Sequence, residues 1–556
     1  HRGDVPDERS PGHSRNKRLA VYMRCVVGVT TKLPPACGFR RSGRETVKYS
    51  IGARRARRAA GEAALERGLT RRHEPDRMPI VAVDDTDSRE RGMCTTYVAT
   101  RIAERLADAG GEVRRRLLVR LNPAVKHKTR GNAAVALHVS GVDAEAAATV
   151  AVEAIEEFAA ASDPRTSPGV VVADRDVAGD PFDPTGSPVP DEIAGFAHRA
   201  LRERLTVAEA VELADEHGFR HAAVGSAGGA SAGEAEGEAV AGRGRIGALA
   251  AVGAPAAFDE WTFERISYRE LDRCGTPREV DVESVFAAAE SGYPTVWDTV
   301  DRETGAAVCV PNAPGPILHG IRGDDAAACR EVAAAIDSET VERAATFLTN
   351  QGTDAHLAPG RIGDLRDGAG YRVAGVVSGA PETKRGGHVH VEVAADRDAV
   401  GVDAVGEGSG DASDSGGWPD ADSLRAVAFA PTGRFRDRVR ALRPGDRVTL
   451  CGEHEVRAAA DGPESTLKLE KFAVRDLVRT APAVPTCPDC GRSMSSAGRG
   501  QGYRCRDCGT SAPGKVADPI ERELDAGWYE VPPSARRHVA KPLVRGGFDA
   551  PTHPER

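Results

Sequence analysis

Four cysteines stand as two pairs, Cys487-Pro488-Asp489-Cys490 and Cys505-Arg506-Asp507-Cys508, with 14 residues between the pairs. Each pair can turn on a tight knuckle and present two thiolates, so the four can surround one Zn2+ ion tetrahedrally. Such a site has no open coordination position. It staples a small ribbon and offers a surface to RNA, but does no chemistry itself. A second cluster is acidic: Asp84, Asp85 and Asp87 follow the apolar run Ile80-Val81-Ala82-Val83. Three carboxylates this close repel one another unless a cation or protons intervene, and hard oxygen donors suit Mg2+ carrying nucleotide phosphates. The competing reading is a solvated turn that caps its own backbone. Thr95 and Thr96 stand just downstream. At a helix start they can face an anion among backbone N–H groups, or act as ordinary caps.

Two further groups bear on nucleic acid. Lys126-His127-Lys128-Thr129-Arg130 holds two of the seven lysines that follow Met78, which points to phosphate contacts; a solvated turn is the alternative. Near the end, Trp528 and Tyr529 precede Arg536, Arg537, His538 and Lys541. Aromatic faces beside guanidinium groups are what unpaired bases stack on, although Trp528 can equally plug the tail onto the ribbon.

These groups need a scaffold. Ile80–Val83 predicts a buried strand that carries the acidic loop at its carboxy end, where α/β sheets place ligands. Val98, Ile102 and Leu106 recur at helical spacing before Gly110-Gly111. Strands follow at 117–121 and 133–139, so the order is that of an α/β or α+β domain. Five short strands, 371–378, 388–394, 424–430, 446–452 and 465–474, predict a small barrel of the oligonucleotide-binding kind. Stretches 174–190, 225–242 and 397–423 are too poor in apolar residues to form a core.

The chain of 556 residues carries a net charge of −8, unevenly spread. Residues 1–77 hold 19 basic and 8 acidic residues, against 56 and 75 in the remainder. Acid excess with only ten lysines is the look of a protein from a high-salt cytoplasm. Residues 1–77 read either as a basic RNA-binding arm or as sequence upstream of a native start at Met78; the second is the expectation. The longest weakly polar run, Ile246 to Phe258, falls short of the ~20 residues of a membrane-spanning helix. Seven cysteines are scattered singly, which excludes a disulfide framework and fits a cytoplasmic protein.

The ordered series of motifs resembles the archaeal isoleucine-tRNA 2-agmatinylcytidine synthetase family, TiaS, from Met78 to about Arg545. It rests on Val83-Asp84-Asp85-Thr86-Asp87-Ser88, Gly92-Met93-Cys94-Thr95-Thr96-Tyr97, Arg120-Leu121-Asn122-Pro123 and Lys128-Thr129-Arg130-Gly131-Asn132. Further matches are Arg245-Ile246-Gly247-Ala248-Leu249-Ala250, Gly320-Ile321-Arg322-Gly323, the segment Thr349–His356, the cysteine pairs and Ala535-Arg536-Arg537-His538.

The resemblance implies a multidomain α+β protein: a kinase-like α/β domain (78–258), a ferredoxin-like domain (259–357), an OB-fold (358–480, with an insertion at 397–423), a zinc ribbon (486–512) and an RNA-contacting tail (513–556). It implies an ATP-dependent ligase that attaches agmatine to C2 of the wobble cytidine of the CAU-anticodon isoleucine tRNA. ATP yields AMP, a threonine is phosphorylated, and the phosphorylated cytidine O2 is displaced by agmatine's amine. Thr95 matches that threonine, with Asp84, Asp85 and Asp87 holding Mg2+ and polyphosphate, and Thr96, Lys126, Lys128 and Arg130 on phosphate. A guanidinium pocket needs carboxylates, for which Asp298, Asp301 and Asp354 are the candidates. No protein partner is implied. The rival reading is a non-catalytic RNA-binding protein made of barrel and ribbon.

Overall fold

The structure, a computed structural model, describes residues 78–125, 131–174, 189–225, 241–396, 423–459 and 462–556. Residues 1–77 and the loop bearing Lys126, Lys128 and Arg130 lie outside the described residues. No described helix is long and apolar enough to cross a membrane.

Ile80–Asp84 forms β1, a run buried on both faces as its unbroken apolar sequence requires. Antiparallel neighbours flank it: β3 (Ala133–Ser140), which also pairs with β2 (Glu112–Arg120), and β4 (Gly169–Ala173), with β5 (Arg220–Ala223) at the edge. One face packs on α1 (Thr95–Asp108) and α2 (Ala144–Phe158). Val98, Ile102 and Leu106 of α1 are fully buried there, the stripe expected from their spacing. The other face packs on α3 (Asp191–Ala200), α4 (Val207–Glu216) and the Ala/Gly-rich α5 (Gly244–Ala257).

The next block does not build a separate sheet. Its strands β6 (Thr262–Tyr268), β7 (Val296–Trp297), β8 (Ile317–Gly323) and β9 (Arg343–Thr349) continue the first, in the order β5-β4-β1-β3-β2-β9-β6-β8-β7. The seam is a parallel pairing of β2 with β9, Leu117 against Leu348 and Leu118 against Thr349. Helices α6 (Val282–Gly292) and α7 (Ala326–Ala334) supply a core of their own on this half.

Beyond β10 (Leu357–Gly360) the chain is β-rich. Strand β11 (Gly370–Val377) pairs with β13 (Val389–Ala395), which also carries β12 (Glu382–Thr383). Then β13 pairs with β14 (Ser423–Ala428), β14 with β16 (Gly462–Asp476), β16 with β15 (Arg447–Ala459), and β15 returns to β11. The five strands thus close a ring around Val373, Val391, Leu450 and Phe472, capped by α8 (Phe435–Arg440). Strands β17 (Thr480–Ala483) and β21 (Val516–Pro519) form the neck of the cysteine unit, whose small sheet is β18 (Ser495–Ser496), β19 (Tyr503–Arg504) and β20 (Ser511–Ala512).

The segment after residue 513 is built into the fold. Strand β22 (Gly527–Glu530) adds to β16, with Lys471 opposite Glu530 and Ala473 opposite Trp528, and β23 (Thr552–His553) adds to β22.

Candidate active site

Strand β1 ends in the acidic loop. The Asp84 carboxylate accepts a hydrogen bond from the Asp85 N–H at 2.6 Å, and Asp85 takes a left-handed backbone, φ 58°. Helix α5 begins against this loop. A Cβ on Gly244 would stand 2.4 Å from the Asp84 carbonyl oxygen, and one on Gly247 would stand 1.9 Å from Asp84 Oδ2. Only glycine at both positions lets the helix N-terminus, the positive end of its dipole, come this near. Loss of hydration pushes the Asp84 pKa well up, and the Asp85 charge adds to it. Asp85 rises to about 6 for the same first reason, although Arg243 donates to it and pulls the other way. Carboxylates that resist ionisation in the bare protein, with only oxygen donors, fit a divalent cation bound with a polyphosphate.

Thr95, the first residue of α1, and Thr96 are both buried. Thr86 Oγ1 donates to Thr95 Oγ1 at 3.1 Å, tying the acidic loop to the helix start. Thr96 Oγ1 lies 3.1 Å from Cys94 Sγ. Neither threonine caps α1, whose N-cap is Cys94.

Asp87, Thr95 and Thr96 form one wall of a cavity of about 590 Å3; Asp84 and Asp85 lie outside its lining. The opposite wall comes from the second half of the shared sheet and includes Glu264, Arg322 and Asp298, while Arg120 of β2 stands at the seam. Glu264, 3% exposed, accepts from Arg120 Nη2 at 2.9 Å and Arg322 Nε at 3.2 Å. Burial opposes its ionisation, but the two guanidinium groups prevail and hold its pKa below the usual range. From the seam into the opposite wall the cavity therefore carries an Arg–Glu–Arg row with a surplus positive charge.

The three carboxylates nominated for a guanidinium differ in place. Asp298 lines the cavity with a left-handed backbone, φ 55°, and its Oδ2 lies 2.7 Å from Arg536 Nε. Asp301 is fully buried outside that lining, where Ser534 Oγ and Arg434 Nη1 donate to its two oxygens. Asp354 accepts from Lys471 Nζ at 2.8 and 2.9 Å and from the Lys541 N–H at 2.7 Å. Asp301 and Asp354 thus serve as clasps between the sheet, the barrel and the tail, not as cavity groups.

Of the two readings left open for Trp528, an exposed stacking face and a packing plug, the structure has the plug, set against the barrel strand β16 and not the ribbon. Trp528, 1% exposed, donates its indole N–H to Asp549 at 2.9 Å and packs near Lys471 and Arg475. Tyr529 is stacked between Phe472 and His553. Successive residues of β22 face opposite ways, Tyr529 into the barrel core and Trp528 under the terminal segment with Val539, Leu543 and Phe548, so neither ring presents a free face. Arg536 donates to Glu530, Arg537 to Glu470 and Glu453, and His538 Nε2 lies 3.2 Å from the Leu121 carbonyl. Lys541 pairs with Glu260 at 2.9 Å.

The Sγ atoms of Cys487, Cys490, Cys505 and Cys508 lie within 4.8 Å of one another, with Cys487 and Cys505 buried and the other two exposed. Four convergent thiols with no fifth donor in the cluster fit a closed Zn2+ site. The remaining cavity residues gave weak signals. Arg120 and Arg322 stand in matched motifs, but Glu264 belongs to none. Arg243 sits in Gly242-Arg243-Gly244-Arg245-Ile246-Gly247, whose glycine spacing before a helix was the available clue.

Family models match in three places: one described as the TiaS TCKD domain over residues 80–147 and 140–226, the TiaS FLD domain over 242–356, and the TiaS C-terminal zinc ribbon domain over 484–524. The isoleucine-tRNA 2-agmatinylcytidine synthetase TiaS of Haloquadratum walsbyi is 52% identical over 495 residues, covering 86% of this chain and 100% of its own. That of Methanosarcina mazei is 41% identical over 474 residues, 84% of this chain and 97% of its own. Among solved structures, the complex of TiaS with its isoleucine tRNA and ATP superposes with a TM-score of 0.68 at 36% identity, covering 86% of this chain and 100% of that one. The complex of TiaS with the same tRNA, AMPCPP and agmatine gives 0.67 at 34% identity, with the same coverage. With its full span of motifs matched by relatives over nearly their whole length, the chain belongs to the TiaS family.

Proposed function

We propose that this protein is an ATP-dependent ligase that attaches agmatine to C2 of the wobble cytidine in the isoleucine tRNA with a CAU anticodon, so that AUA is read in place of AUG. The observation that carries this reading is the cavity itself. It sets Thr95 and Asp87 of one half-sheet across from Glu264, Arg322 and Asp298 of the other. A non-catalytic barrel-and-ribbon protein has no use for such a cavity. In the finer assignment, residues 78–258 are the kinase-like domain, 259–357 the ferredoxin-like domain, 358–480 the OB-fold and 486–512 the zinc ribbon. The closed ring β11-β13-β14-β16-β15 supports the OB assignment.

The carbonyl oxygen of cytidine is a poor leaving group, and a phosphoryl group passed to O2 from ATP, which ends as AMP after giving up two phosphoryl groups, makes it a good one. Agmatine's amine nitrogen then bonds to C2, the C2–O2 bond breaks, O2 departs within phosphate, and the amine proton is released. In this scheme Thr95 is the residue phosphorylated from ATP. Asp84, Asp85 and Asp87 would hold Mg2+, which when bound supplies the positive charge that orients the polyphosphate. Thr96, Lys126, Lys128 and Arg130 are assigned to phosphate. Arg120 and Arg322, steadied by Glu264, are suited to stabilise the departing phosphate. Of the candidates Asp298, Asp301 and Asp354, agmatine's guanidinium is assigned to Asp298, the one that lines the cavity. Trp528, Tyr529, Arg536, Arg537 and His538 act in tRNA binding by fixing the tail, and Lys541 from its edge. Incubation with ATP, agmatine and the transcript, followed by nucleoside mass spectrometry, tests the reading; an unmodified cytidine from folded protein defeats it.

A further inference from the structure

We infer that Arg243 is a placeholder cation: it neutralises Asp85 while the nucleotide site is empty and turns to the polyphosphate when a divalent cation arrives. The inference rests on the reading above that Asp85 belongs to the nucleotide–cation site.

The contact is built to be exchanged. Among the described residues, the guanidinium's hydrogen bonds run through one nitrogen, Nη2, which donates to Asp85 Oδ2 and to the Arg165 carbonyl at 2.7 Å. The backbone beneath it is pinned. The N–H groups of Gly242 and Arg243 donate to Ser167 Oγ at 2.9 and 3.2 Å, and Gly244 N–H donates to the Ser167 carbonyl at 2.9 Å. Gly244 and Gly247 then press the helix onto Asp84. Releasing Asp85 therefore needs side-chain rotation alone, from a guanidinium whose side chain is 17% exposed. A dication on Asp85 places like charge beside Arg243 and repels it. An anion beside the α5 N-terminus attracts it, since the planar fork of a guanidinium matches phosphate oxygens. One residue thus keeps the acidic loop together without ligand and adds positive charge to the phosphates with it.

A permanent structural ion pair predicts unchanged ATP affinity once Arg243 is replaced, so the two readings part on the nucleotide. Mn2+ alone is titrated by electron paramagnetic resonance into the full-length wild type, Arg243→Gln, Arg243→Lys and Asp85→Asn, and ATP binding in the presence of Mn2+ is measured by equilibrium dialysis. Arg243→Gln is expected to bind Mn2+ alone several-fold more tightly, because the competing charge is gone, and ATP about tenfold more weakly. Arg243→Lys, which keeps the charge, should bind Mn2+ as the wild type does. Where Mn2+ binding is lost in Asp85→Asn, either Mn2+ binding unchanged or weakened in Arg243→Gln or ATP affinity unchanged there overturns the placeholder alone. Mn2+ binding that ignores Asp85→Asn overturns the cation assignment and the placeholder with it.

Discussion

Gly247 lies so close to Asp84 that a methyl group in place of its hydrogen would stand 1.9 Å from the carboxylate oxygen Oδ2. Helix α5 and the acidic loop are therefore one unit. Gly247→Ala should move Asp84 or lift the helix, at a cost of about 1–3 kcal/mol, the usual penalty for overpacking. ATP turnover is expected to fall by far more than that loss of stability accounts for. Turnover at a temperature where circular dichroism shows the variant folded is the check.

Thr95→Ala removes the hydroxyl that accepts from Thr86 Oγ1 without emptying any capping role, since Cys94 is the N-cap. Covalent label from γ-labelled ATP and agmatinylated product should both vanish while the melting temperature shifts by only a few degrees. Unchanged labelling would show that another residue carries the phosphate.

Asp298 and Asp301 should part company. Asp298→Asn is expected to raise the KM for agmatine, because Asp298 is a cavity residue and its charge, shared with Arg536, is lost. Asp301→Ala strips Ser534 Oγ of its acceptor and removes one of the three carboxylates around Arg434, and should cost roughly 1–3 kcal/mol of stability, the penalty for a buried donor left unsatisfied, with little effect on that KM. Parallel Michaelis curves and denaturant melts separate the two roles.

Glu453 is buried between Arg537 and Lys468, and although burial opposes ionisation the two cations bring its pKa down to about 2. The folded value lies below the unfolded one, so its contribution is complete above about pH 4.5 and disappears as pH falls toward 2. Glu453→Gln should lower stability at neutral pH and flatten the acid limb of a stability–pH curve over that window. A limb as steep as that of the wild type would place the acid transition elsewhere.

Cys505→Ser takes one thiolate from the four-sulfur cluster. Bound zinc, measured by atomic absorption, is expected to fall, and tRNA affinity with it, while ATP affinity without tRNA stays as it was. Equal loss of both affinities would tie the ribbon to the nucleotide site.

What could be read in the sequence was whatever has a local signature. The apolar run of β1, the four-residue spacing in α1 and the paired cysteines each declare themselves within about two dozen residues. The cavity does not. Glu264 is one acidic residue on one strand until β2, β9 and β8 bring Arg120 and Arg322 beside it. Asp301 and Asp354 carry the charge a guanidinium pocket needs, but their partners Ser534 and Lys471 lie 233 and 117 residues away. Trp528 reads as a stacking platform because an aromatic among arginines looks alike whether it faces solvent or the strand it joins.

The parallel seam between β2 and β9 joins the half-sheets beneath the two cavity walls in one continuous ladder, Leu117 to Leu348 and Leu118 to Thr349. Lobes joined by a flexible strap can shut on a substrate, whereas walls joined by main-chain hydrogen bonds keep their spacing. Under the proposed function the adjustment of fit then falls to the RNA, whose base would have to leave its loop and enter a slot of set width. Selectivity would lie in how readily a given anticodon yields that base, since the slot does not remould itself to help.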